Sequence, residues 1–170
     1  MDQGGPVRDI SIERGATVGD IIKEMSGSGG FESVNLSDGI DIIHRMITDD
    51  GCLRFVSFVA AVVSTGLRGV IRDMLKNKWF DVAMVTCGSL DHDIARHYSE
   101  YKEGSFTMDD AELAKKDIHR LGNVLVPLES YGPLIEEKMQ AFLEEEYAKG
   151  TRKMTTADVC RMIDRKSTRL

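Results

Sequence analysis

Apolar positions along this chain change spacing three times, and each spacing predicts a different kind of element. Val7 to Ile12 alternates enough to predict a short strand. Thr17 then precedes Val18, Ile21, Ile22 and Met25, one helical face that stops in the SGSGG of residues 26 to 30. A second helix is expected from about Asn35, with Leu36, Ile40, Ile43, Met46 and Ile47 on one face, ending at Asp49-Asp50-Gly51. From Leu53 to Val63 the texture changes to an almost unbroken apolar run, LRFVSFVAAVV, as expected for a strand covered on both faces in a parallel sheet. Ser64-Thr65-Gly66 and a helix from Leu67 to about Asn77 follow. After Trp79 a second such strand, Asp81 to Val85, runs into the small-residue turn Thr86-Cys87-Gly88-Ser89 and a helix starting near Leu90. Two successive strand-turn-helix units predict a right-handed βαβ crossover, with both turns side by side at the carboxyl edge of the sheet.

Further along, residues 98 to 106 read as loop, 108 to 116 as helix, and Gly122 to Pro127 as another buried strand. Pro133 opens a long helix through Tyr147, and a last short helix runs from Thr156 to about Asp164. The chain shows no repeats and no low-complexity linker.

Composition narrows the classes. With 170 residues, 42% of them hydrophobic and 29% charged, the chain has the make-up of an ordinary globular domain with one core. A net charge of −6 and the lack of a basic patch argue against nucleic acid as a partner. No apolar run reaches the roughly 18 residues needed to span a bilayer, and MDQGGPVRDISIERG lacks the apolar segment of a signal peptide. The expectation is a cytoplasmic protein without a membrane partner. Cys52, Cys87 and Cys160 are odd in number and far apart, so they read as reduced thiols rather than a disulfide framework or a zinc knuckle.

The densest chemistry lies in TCGSLDHDIARH, residues 86 to 97. A nucleophilic thiol needs a base or a positive field beside it, yet Cys87 ends a buried strand with acids downstream, so a small packed residue is the simpler reading. On a helix, His92 and His97 stand about 140° apart and cannot share an ion, and Asp93 and His97 can at most pair with each other; no metal site is expected. The physics favours a cofactor loop. Glycine and small side chains at the tip of a parallel strand admit a ligand to the backbone, and the amides opening the next helix favour anions. Neither Ser64-Thr65-Gly66 nor Thr86-Cys87-Gly88 carries a GxGxxG or Walker lysine pattern, and a purely structural βα turn stays open.

Several stretches together resemble deoxyhypusine synthase, particularly its archaeal form: FVSFVAAVVSTGLRGVIRDML, DVAMVTCGSLDHDIARHY, GSF at 104 to 106, HRLGNVLVPLESYG at 119 to 132 and MTTADVCRMI at 154 to 163. VRDISIERGATVGDIIKEM and SGGF are similar to that family's N-terminal region, so the likeness runs through the chain in order. The resemblance implies an α/β, Rossmann-like fold, a mostly parallel sheet flanked by helices, here forming the N-terminal half of a larger doubly wound domain. Residues 1–170 would then be a single domain or half-domain, with a helical segment at about 1–50 and a βαβ cofactor-binding part at about 51–170. It also implies an NAD-dependent transferase, usually a homotetramer with active sites at a dimer interface, that oxidises spermidine. The aminobutyl group passes through an imine on an enzyme lysine to one lysine of the hypusine-containing translation factor.

By position in the resemblance, Ala60, Ala61, Val62, Val63 and Ser64, with Thr86, Cys87 and Gly88, would line the NAD site, while Asp91 and His92 would lie near the nicotinamide and the polyamine. Eukaryotic members have two glutamates in place of Asp91-His92 and an NAD-contacting asparagine in place of Ala61. A histidine at 92 could take a catalytic proton near neutral pH or hydrogen-bond the cofactor. The family chain continues beyond the region matched here, through Gly-rich cofactor loops, an acidic polyamine pocket and the imine-forming lysine; Lys149, Lys153 and Lys166 do not stand in that lysine's context. The expectation is therefore half of an enzyme. It would pair with a C-terminal half chain in a tetramer-like hetero-oligomer, be inactive alone, and cover an otherwise exposed apolar sheet edge on assembly. Two rivals are a noncatalytic regulatory subunit of a complete synthase and a homospermidine synthase-like enzyme with a small amine acceptor; a nucleotide-binding domain of other function is the plainest alternative.

Overall fold

The computed structural model describes residues 5–167. The described residues are mixed α/β with two small sheets, one of two parallel strands and one of three antiparallel strands. The chain divides into two compact units, Met1–Val56 with Met74–Ala83, and Ser57–Asp73 with Met84–Leu170.

In the first unit, helices α1 (Val18–Ser28) and α2 (Ser33–Thr48) pack on each other. Thr17 starts α1 with a reciprocal cap: its hydroxyl accepts from the Asp20 amide at 3.2 Å, and the Asp20 carboxylate accepts from the Thr17 amide at 2.9 Å. Gly29 ends the helix at φ +66°, a left-handed position suited to glycine. Arg54 and Asp81, each just before a strand, join through two side-chain bonds of 2.9 and 3.1 Å, and the Arg54 amide donates to the same carboxylate at 2.8 Å. Those bonds hold the Asp81 carboxyl below its ordinary range.

Strand β1 (Phe55–Phe58) is followed by helices α3 (Ala60–Ser64) and α4 (Arg68–Lys76), and β2 (Val82–Val85) by α5 (Cys87–Tyr98). The second unit packs α3 against α5. Its antiparallel sheet has the order β3-β5-β4, from β3 (Lys102–Glu103), β4 (Ile118–Leu121) and β5 (Val124–Pro127). A short helix α6 (Asp110–Ala114), capped by the Asp109 carboxylate, precedes β4. A 3-10 turn (Leu128–Ser130) leads into α7 (Gly132–Ala148), and α8 (Thr156–Ser167) follows. Val63, Ile94, Ala95, Leu113, Val126 and Phe142 are the buried apolar residues of this unit.

Four expectations need correction. Residues 7 to 12 form no strand; the Arg8 amide donates to Gly27 O, and Val7 and Ile12 are exposed, so that alternation has no second strand to pair with. The long apolar run ends as a strand at Phe58, and Ala60 to Ser64 is helical, because an apolar run buried in a strand and one buried in a helix carry the same signature. The carboxyl end of β1 is thus at Phe58, while Ser64-Thr65-Gly66 links two helices and is not a strand-tip turn. Helix α5 starts at Cys87 rather than near Leu90, so Cys87, Gly88 and Ser89 form its first turn. Finally, Gly122-Asn123 is the two-residue turn of an antiparallel hairpin, with Leu121 facing Val124 and Gly122 at φ +64°. Only Val124–Pro127 is strand, and the larger sheet is antiparallel rather than part of a mostly parallel one.

Candidate functional site

Both strand ends of the βαβ part pass into a helix through a single residue, Val59 before α3 and Thr86 before α5. The two helices touch at their first turns. A Cβ added at Gly88 would stand 3.0 Å from the Ala60 Cβ, so the missing side chain there is used by helix packing. Ala60, Ala61 and Val62 are half-buried; Val63 and Ser64 are buried, and the Ser64 hydroxyl donates to Ala61 O at 2.8 Å. Thr86 and Cys87 are exposed, and Thr86 makes no side-chain hydrogen bond to the amides it precedes. Ser89 is buried, and its hydroxyl has no partner among the described residues.

One turn further along α5, the side chains of Asp91 and His92 meet two tyrosines from elsewhere in the unit. The His92 ring stacks on Tyr131, centroids 4.7 Å apart and planes 26° from parallel, and its Nδ1 lies 2.8 Å from Tyr101 Oη. Burial holds the His92 imidazole below its ordinary pKa; Asp91 pulls it back up, and Arg96 pushes it down. Burial, with the charges of Tyr131 and Asp91, pushes the Tyr101 phenol up to about 12, and burial followed by Asp91 and Cys87 raises that of Tyr131. Both tyrosines therefore carry their protons throughout the neutral range.

Arginines fix the surroundings. Arg96 Nη1 donates to Val63 O at 2.9 Å and Thr65 O at 2.5 Å, closing the end of α3, and its guanidinium lies 6.0 Å from the Tyr101 ring centre. Arg68 Nε reaches Asp93 Oδ1 at 2.5 Å, so Asp93 pairs across to α4 and not with His97, which sits edge-on to Tyr98. The Ser99 hydroxyl donates to that of Ser130 at 2.7 Å, tying the end of α5 to the turn that presents Tyr131.

The sequence-predicted residues thus fall into two groups on one helix pair: Ala60 to Ser64 with Thr86 to Gly88 at the helix starts, and Asp91 with His92 farther along α5. Tyr101, Tyr131 and Arg96 were not anticipated. The available signal was faint, an aromatic residue in each of two otherwise polar loop segments, SEYKE and ESYG, and nothing in the spacing links positions 30 residues apart.

A helix pair opening off the ends of two adjacent strands, with no side-chain cap on either helix start and a histidine-carboxylate pair downstream, belongs to a mixed α/β arrangement. The family model for deoxyhypusine synthase matches residues 20–168, and the chain belongs to that family. It is 49% identical over 144 residues to the probable deoxyhypusine synthase of Thermoplasma acidophilum, covering 85% of this chain and 46% of that protein. The probable deoxyhypusine synthases of Picrophilus torridus and Ignicoccus hospitalis match at 47% and 42% identity, over 84% and 82% of this chain and 45% and 44% of theirs. The chain spans about half the length of the curated relatives it matches. Among the described residues no helix is long and apolar enough to cross a membrane.

Proposed function

We propose that this chain supplies the N-terminal half of an NAD-dependent deoxyhypusine synthase, the C-terminal half of which brings the imine-forming lysine. The carrying observation is the family match across residues 20–168 together with a span of only 46% of a full-length relative. In this reading residues 1–170 are one half of a larger, Rossmann-like doubly wound domain in the cytoplasm, with about 51–170 as its cofactor-binding part. The exposed apolar side chains of Phe55 on β1 and of Met84 and Val85 on opposite faces of β2 support further covering layers, since a parallel sheet is normally buried on both faces.

The residues present fit a dinucleotide in kind. The first amides of α5 lack a side-chain cap and suit an anionic group, and the partnerless Ser89 hydroxyl is a spare polar group beside them. Bound NAD would accept a hydride from the polyamine and later return it. Thr86, Cys87 and Gly88 would border it, with Ala60, Ala61 and Val62 on the facing helix and buried Val63 and Ser64 holding that helix in place. Asp91 would attract a polyamine ammonium, and neutral His92 would hydrogen-bond ligand.

The test is reconstitution. The chain mixed with one carrying the remaining half is supplied with NAD, radiolabelled spermidine and the translation factor. Transfer of label by the mixture, needing both chains and NAD, is the expected result; NAD-independent transfer, or none from a stable complex of the two, would sink the proposal.

A further inference from the structure

The side chains around His92 converge from three places in the chain: Asp91 and Arg96 from α5, Tyr101 from the segment before β3, and Tyr131 from the residue before α7. Each tyrosine makes a different contact. Tyr131 covers one face of the imidazole, whereas Tyr101 addresses Nδ1 edge-on, with ring planes 88° apart. The Tyr101 phenol keeps its proton, and a phenol donates a hydrogen bond to an imidazole nitrogen more strongly than it accepts one. No hydrogen bond to His92 Nε2 occurs among the described residues.

We propose that Tyr101 and Tyr131 are positioning residues that hold His92 in one ring orientation and one tautomer, with the proton on Nε2, so that His92 offers ligand a fixed hydrogen-bond donor beside the Asp91 carboxylate. The proposal rests on the reading of this helix as the ligand-facing one. A histidine whose Nδ1 is occupied in this way acts through Nε2 alone, and a ring clamped on one face has one orientation to offer. Asp91 and Arg96 are the charged groups that act on His92, and α3, which packs on α5, contributes no titratable group.

Imidazole nitrogen NMR on the intact chain, with the His92 signals assigned by their loss in H92Q, reads the tautomer directly. The expected result is a dominant Nε2–H form in the parent. In Y101F, losing one net hydrogen bond of ordinary strength reduces the tautomer ratio about fivefold. In Y131F the stack survives and the ratio stays within about twofold of the parent. A dominant Nδ1–H form in the parent, or a Y101F ratio equal to the parent's, overturns the proposal, and the parent measurement stands even if Y101F does not fold. Adding NAD to the reconstituted complex separates the two readings. A tautomer that responds to Tyr101 while His92 ignores NAD leaves the clamp standing and removes the ligand-facing role; His92 signals that move with NAD but not with Y101F do the reverse.

Discussion

Replacing Gly88 with alanine is the sharpest test of how the two helix starts are held. The new methyl would stand 3.0 Å from the Ala60 Cβ, against about 3.5–4.0 Å for carbons at rest. Helices α3 and α5 must then part by about 0.5–1 Å, a gap that forfeits a quarter to a half of each dispersion contact across it. Val63 on α3 and Ile94 on α5 are buried, and burial of such side chains is worth about 1.5–3 kcal/mol each. The loss is therefore about 1–3 kcal/mol, and exchanging a helical glycine for alanine returns about 0.5–1 kcal/mol. The expected net is a destabilisation of about 1–2 kcal/mol, read as a lower urea midpoint at unchanged slope by far-ultraviolet circular dichroism. The double variant A60G/G88A moves the methyl across the contact and should recover most of the loss. A G88A chain as stable as its parent, or a double variant no better than G88A, would refute this account of the packing.

Three further outcomes are expected. The Asp81 carboxyl is held below its ordinary value by Arg54, so the unfolded chain takes up that proton first; stability is present above about pH 4 and is lost as pH falls through the lower folded-state value. In D81N the acid-induced drop of the urea midpoint should be smaller, and an unchanged drop would count against the pair. Gly122→Ala forces a left-handed φ of +64° on a residue with a Cβ, which would also stand 3.2 Å from Phe106; the hairpin should lose about 1–2 kcal/mol, visible as a lower melting temperature. Cys87 and Cys160 are both exposed, and in the reconstituted complex NAD should slow alkylation of Cys87 but not Cys160. Equal protection of both, or of neither, would remove Cys87 from the cofactor's border.

How much was legible depended on how local each signal is. Helices α1 and α7 were readable because Thr17, Gly29 and Pro133 mark their ends with side-chain or backbone chemistry that needs no partner elsewhere. The strand-to-helix change after Phe58 was not, since Val59 to Val63 is apolar throughout and only pairing with β2 decides where a strand stops. The hairpin was half legible: Gly122-Asn123 marks a turn, but Ile118 to Leu121 carries polar His119 and Arg120, which β4 places against Val126 and Leu125. Asp91 and His92 stood out by composition. The tyrosines that hold them did not, because a contact between residues 101, 92 and 131 exists only once α5, the hairpin and α7 are in place.

The one-residue junctions at Val59 and Thr86 have a consequence for how such a site tolerates change. A substitution near Thr86 alters a surface, but one residue inserted between Thr86 and Cys87 would turn α5 by about 100° and advance it by about 1.5 Å relative to its strand. His92 would swing away from Tyr101 and Tyr131 with every side chain intact. The site is indexed by chain length as much as by side-chain identity.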